Sequence, residues 1–308
     1  NTPTLLSGLN LFTPSYQATT YVQIERREGQ LSLVEHRPRG AVGDPVKHYH
    51  GTPKTFSMLH FVKDDVVRAD DVQNLRAFGT TTQTQSVAQL VNDKLLQMKA
   101  DIDYTREHAM LGALKGKILD SNGTTVLTDI YKEFDLTRQE YQWALSSDKT
   151  DAGILIDQYK LDLAKLKKGE MTNGIIALCS PAFMHALIGH KSVKELYLRH
   201  QEARLYRESN TDVEFIHKGV RFIVYADEFD SGLTIADYEA IILPTGTRNV
   251  FKEYFAPPDM NATVNTLAKP YYASTEKLPH DKGWQLHAQS NPLPLVLRPD
   301  LVATVRLT

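Results

Sequence analysis

Between Thr84 and Ile118, apolar residues recur at mostly helical spacing: Val87, Val91, Leu95, Met98, Ile102, Ala109 and Leu114, with Leu90 and Leu111 widening the stripe. Residues three and four apart share one helix face, and no proline interrupts the run, so the spacing predicts one helix over about 84–118. At 1.5 Å per residue it would be about 50 Å long, well beyond the usual ~11–12 residues. Asp93, Asp101, Asp103 and Glu107 alternate with Lys94, Lys99 and Arg106 on the polar side, which reads as a solvated charged face. Gly112 and Gly116 weaken the end of the pattern, where Lys115 and Lys117 suit the negative pole of the helix.

Before this helix the pattern is strand-like. Tyr21–Glu25 alternates apolar with polar residues, and Leu31–Glu35 resumes after the turn Glu28-Gly29-Gln30. From Arg37 to Pro53 the chain is polar and broken by Pro38, Gly40, Gly43, Pro45, Gly51 and Pro53, and Thr55–Val62 is extended and apolar again. Two legs flanking a polar tip predict a long protruding hairpin. A loop of this size usually has a function of its own, here read as reaching a neighbour. Residues 1–28 hold few long apolar runs, and Pro3 and Pro14 disfavour a helix, so they read as an extended arm.

After the helix, Asp120-Ser121-Asn122-Gly123-Thr124 predicts a hairpin turn with Val126–Phe134 as its second leg. Leu136–Trp143 and Asp151–Lys168 read as helices, the second with Ile154, Ile156, Tyr159, Leu163 and Leu166 inward and Gly169 at its end. Strands and helices then alternate. Gly174–Cys179 is a strand, and Ser180-Pro181 supplies an N-cap and a first-turn proline for the helix Ala182–Ile188. Ser192 opens a helix through Leu198. Val213–Ile216 and Val220–Tyr225 form a hairpin across Lys218-Gly219. Tyr238–Leu243 is a strand before the turn Pro244-Thr245-Gly246, and Leu301–Val305 is a last one. The class is α+β.

Composition narrows the partners. The 308 residues suffice for one large or two ordinary domains, and 42% hydrophobic with 23% charged residues predicts a folded chain. A net charge of −2 lacks the basic excess of proteins that grip nucleic acid through its phosphates. No run of about 18 apolar residues occurs, the length a membrane-spanning helix needs. The lone Cys179 ends an apolar run and reads as a buried structural thiol, and the lack of cystines fits a reducing compartment. The chain starts at Asn1 and not at Met, so initiator removal or processing is expected.

Little of the sequence suggests catalysis. No phosphate-binding glycine loop, dinucleotide fingerprint or nucleophile elbow is present. His48 and His50 would face the same side of an extended segment and could share a metal with Asp44, His60 or Asp64, or lie in a subunit contact. Asp64-Asp65, Asp70-Asp71 and Asp101/Asp103 are spaced for separate, solvated carboxylates. Trp143, Trp284 and Tyr271-Tyr272 lack a basic cluster and read as core or interface aromatics.

The order of these pieces resembles the Hong Kong 97-type fold of tailed-phage and herpesvirus capsid proteins, and more narrowly the phage lambda capsid protein E family. The resemblance is carried by Glu107–Ile118 (EHAMLGALKGKI), Asn291–Thr308 (NPLPLVLRPDLVATVRLT) and Val72-Gln73-Asn74-Leu75 ahead of the long helix. It implies an N-terminal arm (1–28), an E-loop (29–60) and a P-domain (61–135, returning at 265–308) with a spine helix at about 84–118. An A-domain (136–264) completes the chain. It further implies a structural role without catalysis or cofactor: a major capsid protein assembled in the bacterial cytoplasm into a virion shell around double-stranded DNA. The partners would be its own copies as hexamers and pentamers, a scaffolding protein, a portal and a decoration protein. DNA would lie non-specifically on the inner face, and no membrane is involved. Arg37, Arg39, Lys47, His48 and His50 are the expected inter-subunit contacts. The alternatives are a metal-dependent hydrolase using His48 and His50, or a nanocompartment shell of the same fold.

Overall fold

The computed structural model describes residues 4–25, 53–73, 86–147, 149–205 and 214–308. In chain order the elements are α1 (Leu5–Gly8), β1 (Thr13–Tyr16), β2 (Tyr21–Glu25), β3 (Pro53–Ser57), β4 (Phe61–Arg68), α2 (Ala69–Val72) and α3 (Val87–Lys115). Then come β5 (Lys117–Leu119), β6 (Val126–Asp129), α4 (Ile130–Glu133), β7 (Gln139–Trp143), α5 (Ala152–Leu166), β8 (Gly174–Cys179), α6 (Pro181–Gly189) and α7 (Lys191–Leu205). Strands β9 (Glu214–His217), β10 (Val220–Val224), β11 (Glu239–Thr245), β12 (Phe251–Phe255), β13 (Tyr272–Lys277), β14 (Gly283–Ser290), β15 (Pro292–Val296) and β16 (Ala303–Leu307) follow.

Two compact units divide the chain. The first comprises residues 1–22, 55–111 and 252–295, and the second 23–54, 112–251 and 296–308. In the first, β13, β14 and β4 form an antiparallel sheet, and β1, β12 and β15 form another. Helix α3 lays Met98 and Ile102 against Val67, Leu286 and Ala288, with Leu90, Val91 and Leu95 only partly buried. Val87, expected inward, is exposed. The arm is less free than expected. Leu6 and Phe12 are buried, and β1 adds in parallel to β12, pairing Thr13 with Lys252 and Tyr16 with Phe255. Pro14 is tolerated because β1 lies at the edge of its sheet among the described strands.

In the second unit the strand order is β7-β16-β11-β8-β10-β9. Ala240, Ile241, Ile242 and Leu243 of β11 are all 1% exposed or less, the continuous apolar run of a strand covered on both faces. Helix α6 packs on β8, β10 and β11. Ser180 caps it by accepting from Phe183 N, and Pro181 takes the first turn. The β9–β10 hairpin turns at Lys218 and Gly219, both at positive φ (47° and 77°).

The structure corrects several readings. Leu136–Trp143 is not a helix: Gln139–Trp143 is β7, paired in parallel with β16 from the far end of the chain. Ile154, expected inward, is 63% exposed, whereas Ile156, Tyr159 and Leu163 are buried as expected. Helix α3 stops at Lys115 because Gly116 adopts φ +90°, where a Cβ would come within 2.3 Å of the Tyr131 ring. Ile118 therefore falls in β5. The second leg of that hairpin ends at Asp129, whose side chain accepts from Lys132 N and starts α4. Strand β11 runs through Pro244 and Thr245, leaving Gly246 to turn. The last strand is shifted to Ala303–Leu307 because Pro299–Leu301 forms a single 3-10 turn.

Candidate functional site

A cluster on α3 holds the arm. Leu6 N–H and Ser7 N–H donate to Glu107 at 2.5 and 3.1 Å, and Ser7 Oγ donates to the same carboxylate at 2.8 Å. Glu107 thus supplies the acceptor that the first turn of α1 lacks. Glu107 is fully buried, so the expectation of a solvated charge fails here.

Its neighbour Arg106 grips Glu253 of β12 through two parallel bonds, Nε–Oε1 at 3.0 Å and Nη2–Oε2 at 2.8 Å. Arg106 also donates to the Tyr271 hydroxyl, which donates in turn to Asp103. The guanidinium lies 5.2 Å from the Phe255 ring centroid and 5.1 Å from that of Tyr271. Burial lifts the Glu253 carboxyl above its ordinary range against the pull of Arg106. In Arg106 burial acts downward, yet the carboxylate outweighs it and the guanidinium holds its proton more tightly than usual. Burial and the bond to Asp103 likewise push the Tyr271 phenol up.

The carboxylate pairs separate as expected. Asp64 accepts from His287 on one face, and Asp65 accepts from Lys94 Nζ at 2.8 Å on the other. The Lys94 bond holds the Asp65 carboxyl below its ordinary value. Asp101 binds Lys63, whereas Asp103 is partly buried between Lys99 and Tyr271. Trp143 is buried in the second unit against Phe183, and Trp284 is partly buried under Lys277. Cys179 is buried, which pushes its thiol well up and makes it a poor nucleophile.

Arg37, Arg39, Asp44, Lys47, His48 and His50 lie outside the described residues. His60 and Asp64, the remaining metal-ligand candidates, face Asn291 and His287 respectively. Among the described residues no group of three or more His, Cys, Asp or Glu is placed to hold a metal ion. None of their helices is long and apolar enough to cross a membrane. An apolar groove of about 510 Å³ runs beside α3, lined by Leu95, Leu96, Ile102, Tyr271, Tyr272 and Ala288. Leu96 is 65% exposed in it. Beside this groove β13 lies at an edge of its sheet among the described strands, with alternate backbone groups turned outward.

The arrangement of arm, long helix and mixed sheets has solved counterparts. The capsid of Ralstonia phage GP4 superposes with a TM-score of 0.56 at 11% identity, covering 96% of this chain and 86% of that one. The fold is that of Hong Kong 97-type phage capsids. The model of the family "Phage major capsid protein E" matches residues 1–307, and the chain belongs to that family. Its relatives include the major capsid protein of Salmonella phage Felix O1, 24% identical over 99% of this chain and 92% of the relative. The major capsid protein of Pseudomonas phage KPP10 is 27% identical, over 97% and 90%. The chain is a phage major capsid protein and forms the icosahedral head shell of the virion.

Proposed function

We propose that this chain closes into its shell as hexamers and pentamers, and that its work is done at contacts between copies and not in a catalytic pocket. In this reading residues 1–28 are the N-terminal arm, 29–60 the E-loop, 61–135 with 265–308 the P-domain, and 136–264 the A-domain. Arg37, Arg39, Lys47, His48 and His50 of the E-loop are the contacts that reach a neighbouring copy. The observation that carries the reading is the family match along residues 1–307.

Surface chemistry supports it. Leu96 in the first unit and Ile154 and Leu161 in the second leave large apolar side chains more than 60% exposed. Ile154 and Leu161 are seven residues apart on α5 and share one face of it. A scaffolding protein, a portal and a decoration protein are the other proposed partners, with assembly in the host cytoplasm. The near-neutral charge suits non-specific tolerance of packaged DNA on the inner face.

Deletion of residues 29–60 tests the proposal. A folded chain that makes no shells in negative-stain micrographs is expected, and normal shells would overturn the role given to that loop.

A further inference from the structure

Strand β14 turns Leu286 and Ala288 toward α3, and so turns His287 and Gln289 to the opposite face. There His287 Nδ1 lies 2.5 Å from Asp64 on β4, and its Nε2 lies 3.1 Å from Gln289 Nε2. The same Gln289 nitrogen donates to Asp259 at 2.8 Å. Gln289 is fully buried, and its Oε1 has no hydrogen-bond partner among the described residues. The other side of Asp259 is 3.8 Å from His60 Nε2.

These contacts fix the protons. An amide nitrogen only donates, so His287 Nε2 must accept, and its single proton sits on Nδ1 facing Asp64. A second ring proton at Nε2 would point at the Gln289 N–H. A half-turn of the amide relieves this by bringing the spare Oε1 to Nε2–H. The same half-turn withdraws the N–H from Asp259 and presents an oxygen to its carboxylate. The Asp259 carboxyl is held below its ordinary range chiefly by the Gln289 bond, as expected for an ionised acceptor.

We infer that His287 and Gln289 form a proton-operated latch: when His287 takes up a second proton, the Gln289 amide turns and Asp259 is released. What it frees is the segment from Asp259 to Leu267. That segment lies between fixed points at Pro257, whose carbonyl accepts from Asn291, and Ala268, whose N–H donates to Gln17. Val264 and Leu267, both more than 60% exposed, lie within it. Asp64 accepts from Nδ1–H in either state, so the change is confined to the Gln289 side. Among the described residues, the other titratable groups near the ring are Asp259 and His60, with Tyr272 and Glu276 of β13 on the same face by strand register.

The inference is independent of how copies pack, and its test needs no shells. Hydrogen exchange of peptides covering 256–268 is followed in the full chain from pH 8 to 5, corrected for intrinsic exchange rates. Protection is expected to fall about five-fold as pH is lowered across this span, the loss of one hydrogen bond of roughly 1 kcal/mol. His287→Phe should abolish the step, and His60→Phe should keep it. A flat wild-type profile, a step surviving in His287→Phe, or one lost in His60→Phe would overturn the latch. Nitrogen NMR of the wild-type imidazole at pH 8 tests it without any variant. An Nδ1-protonated ring is expected, and an Nε2-protonated one is incompatible with it.

Discussion

In the six-stranded sheet, β11 buries six residues in a row; in the three-stranded sheet, β13 leaves five of its six residues exposed. Both strands pair antiparallel, β11 with two neighbours and β13 with one among the described strands, but pairing alone does not bury side chains. The difference is what lies on their faces. The first sheet is lined by helix α6 and its own large side chains. The second is lined by α3 on one face, and its other face carries His287, Glu276 and Asp64. Burial at about 25 cal/mol per Å² makes the first sheet a stability core. The second keeps surface exposed and, among the described strands, one edge unpaired.

The sharpest way to break this contrast is Phe222→Ala in β10. It should cost about 3–5 kcal/mol in denaturant unfolding, while Ser274→Ala in β13 should stay within about 0.5 kcal/mol. Next comes Glu107→Ala, which strands the buried donor of Leu6 and the part-buried donors of Ser7. A loss of about 1–3 kcal/mol is expected, with faster hydrogen exchange over residues 5–16 and no change in β8 or β11. Removing the α6 cap with Ser180→Ala should cost about 1 kcal/mol, read from the same denaturant curves.

The smallest effect sharpens the picture of the exposed sheet. Lys94→Ala removes the partner of Asp65, a pair worth roughly 0.2–1 kcal/mol at this exposure. The folded state depresses the Asp65 carboxyl, so this stability is present above the unfolded pKa and is lost as pH falls through the lower folded value. The stability gap between wild type and variant, measured by denaturant melts, should close below about pH 4.

Local signals carried much of the fold. The body of α3 was readable from an unbroken stripe, the β5–β6 turn from Asn122-Gly123, and the start of α6 from Ser180-Pro181. What escaped were features fixed by distant partners. Gln139–Trp143 is a strand because β16 lies beside it, a pairing invisible to any window around residue 140. Glu107 looked like one more charge on a solvated face, because the arm that buries it lies a hundred positions earlier. Arg106 and Glu253 escaped for the same reason, although the Glu-His-Ala-Met step from charged to apolar at 107–110 could have warned that this stretch of α3 goes inside.

The arm also has a timetable. Leu6 and Phe12 leave the ribosome before their partners: Glu107 follows about a hundred residues later, and the β12 strand that receives β1 ends at Phe255. At roughly 5–20 residues per second, that is a wait on the order of 12–50 s. During that interval each nascent chain carries an unsatisfied apolar hook among other copies of itself. The order in which the polypeptide is made therefore sets a window in which arms can be exchanged between chains before each finds its own helix.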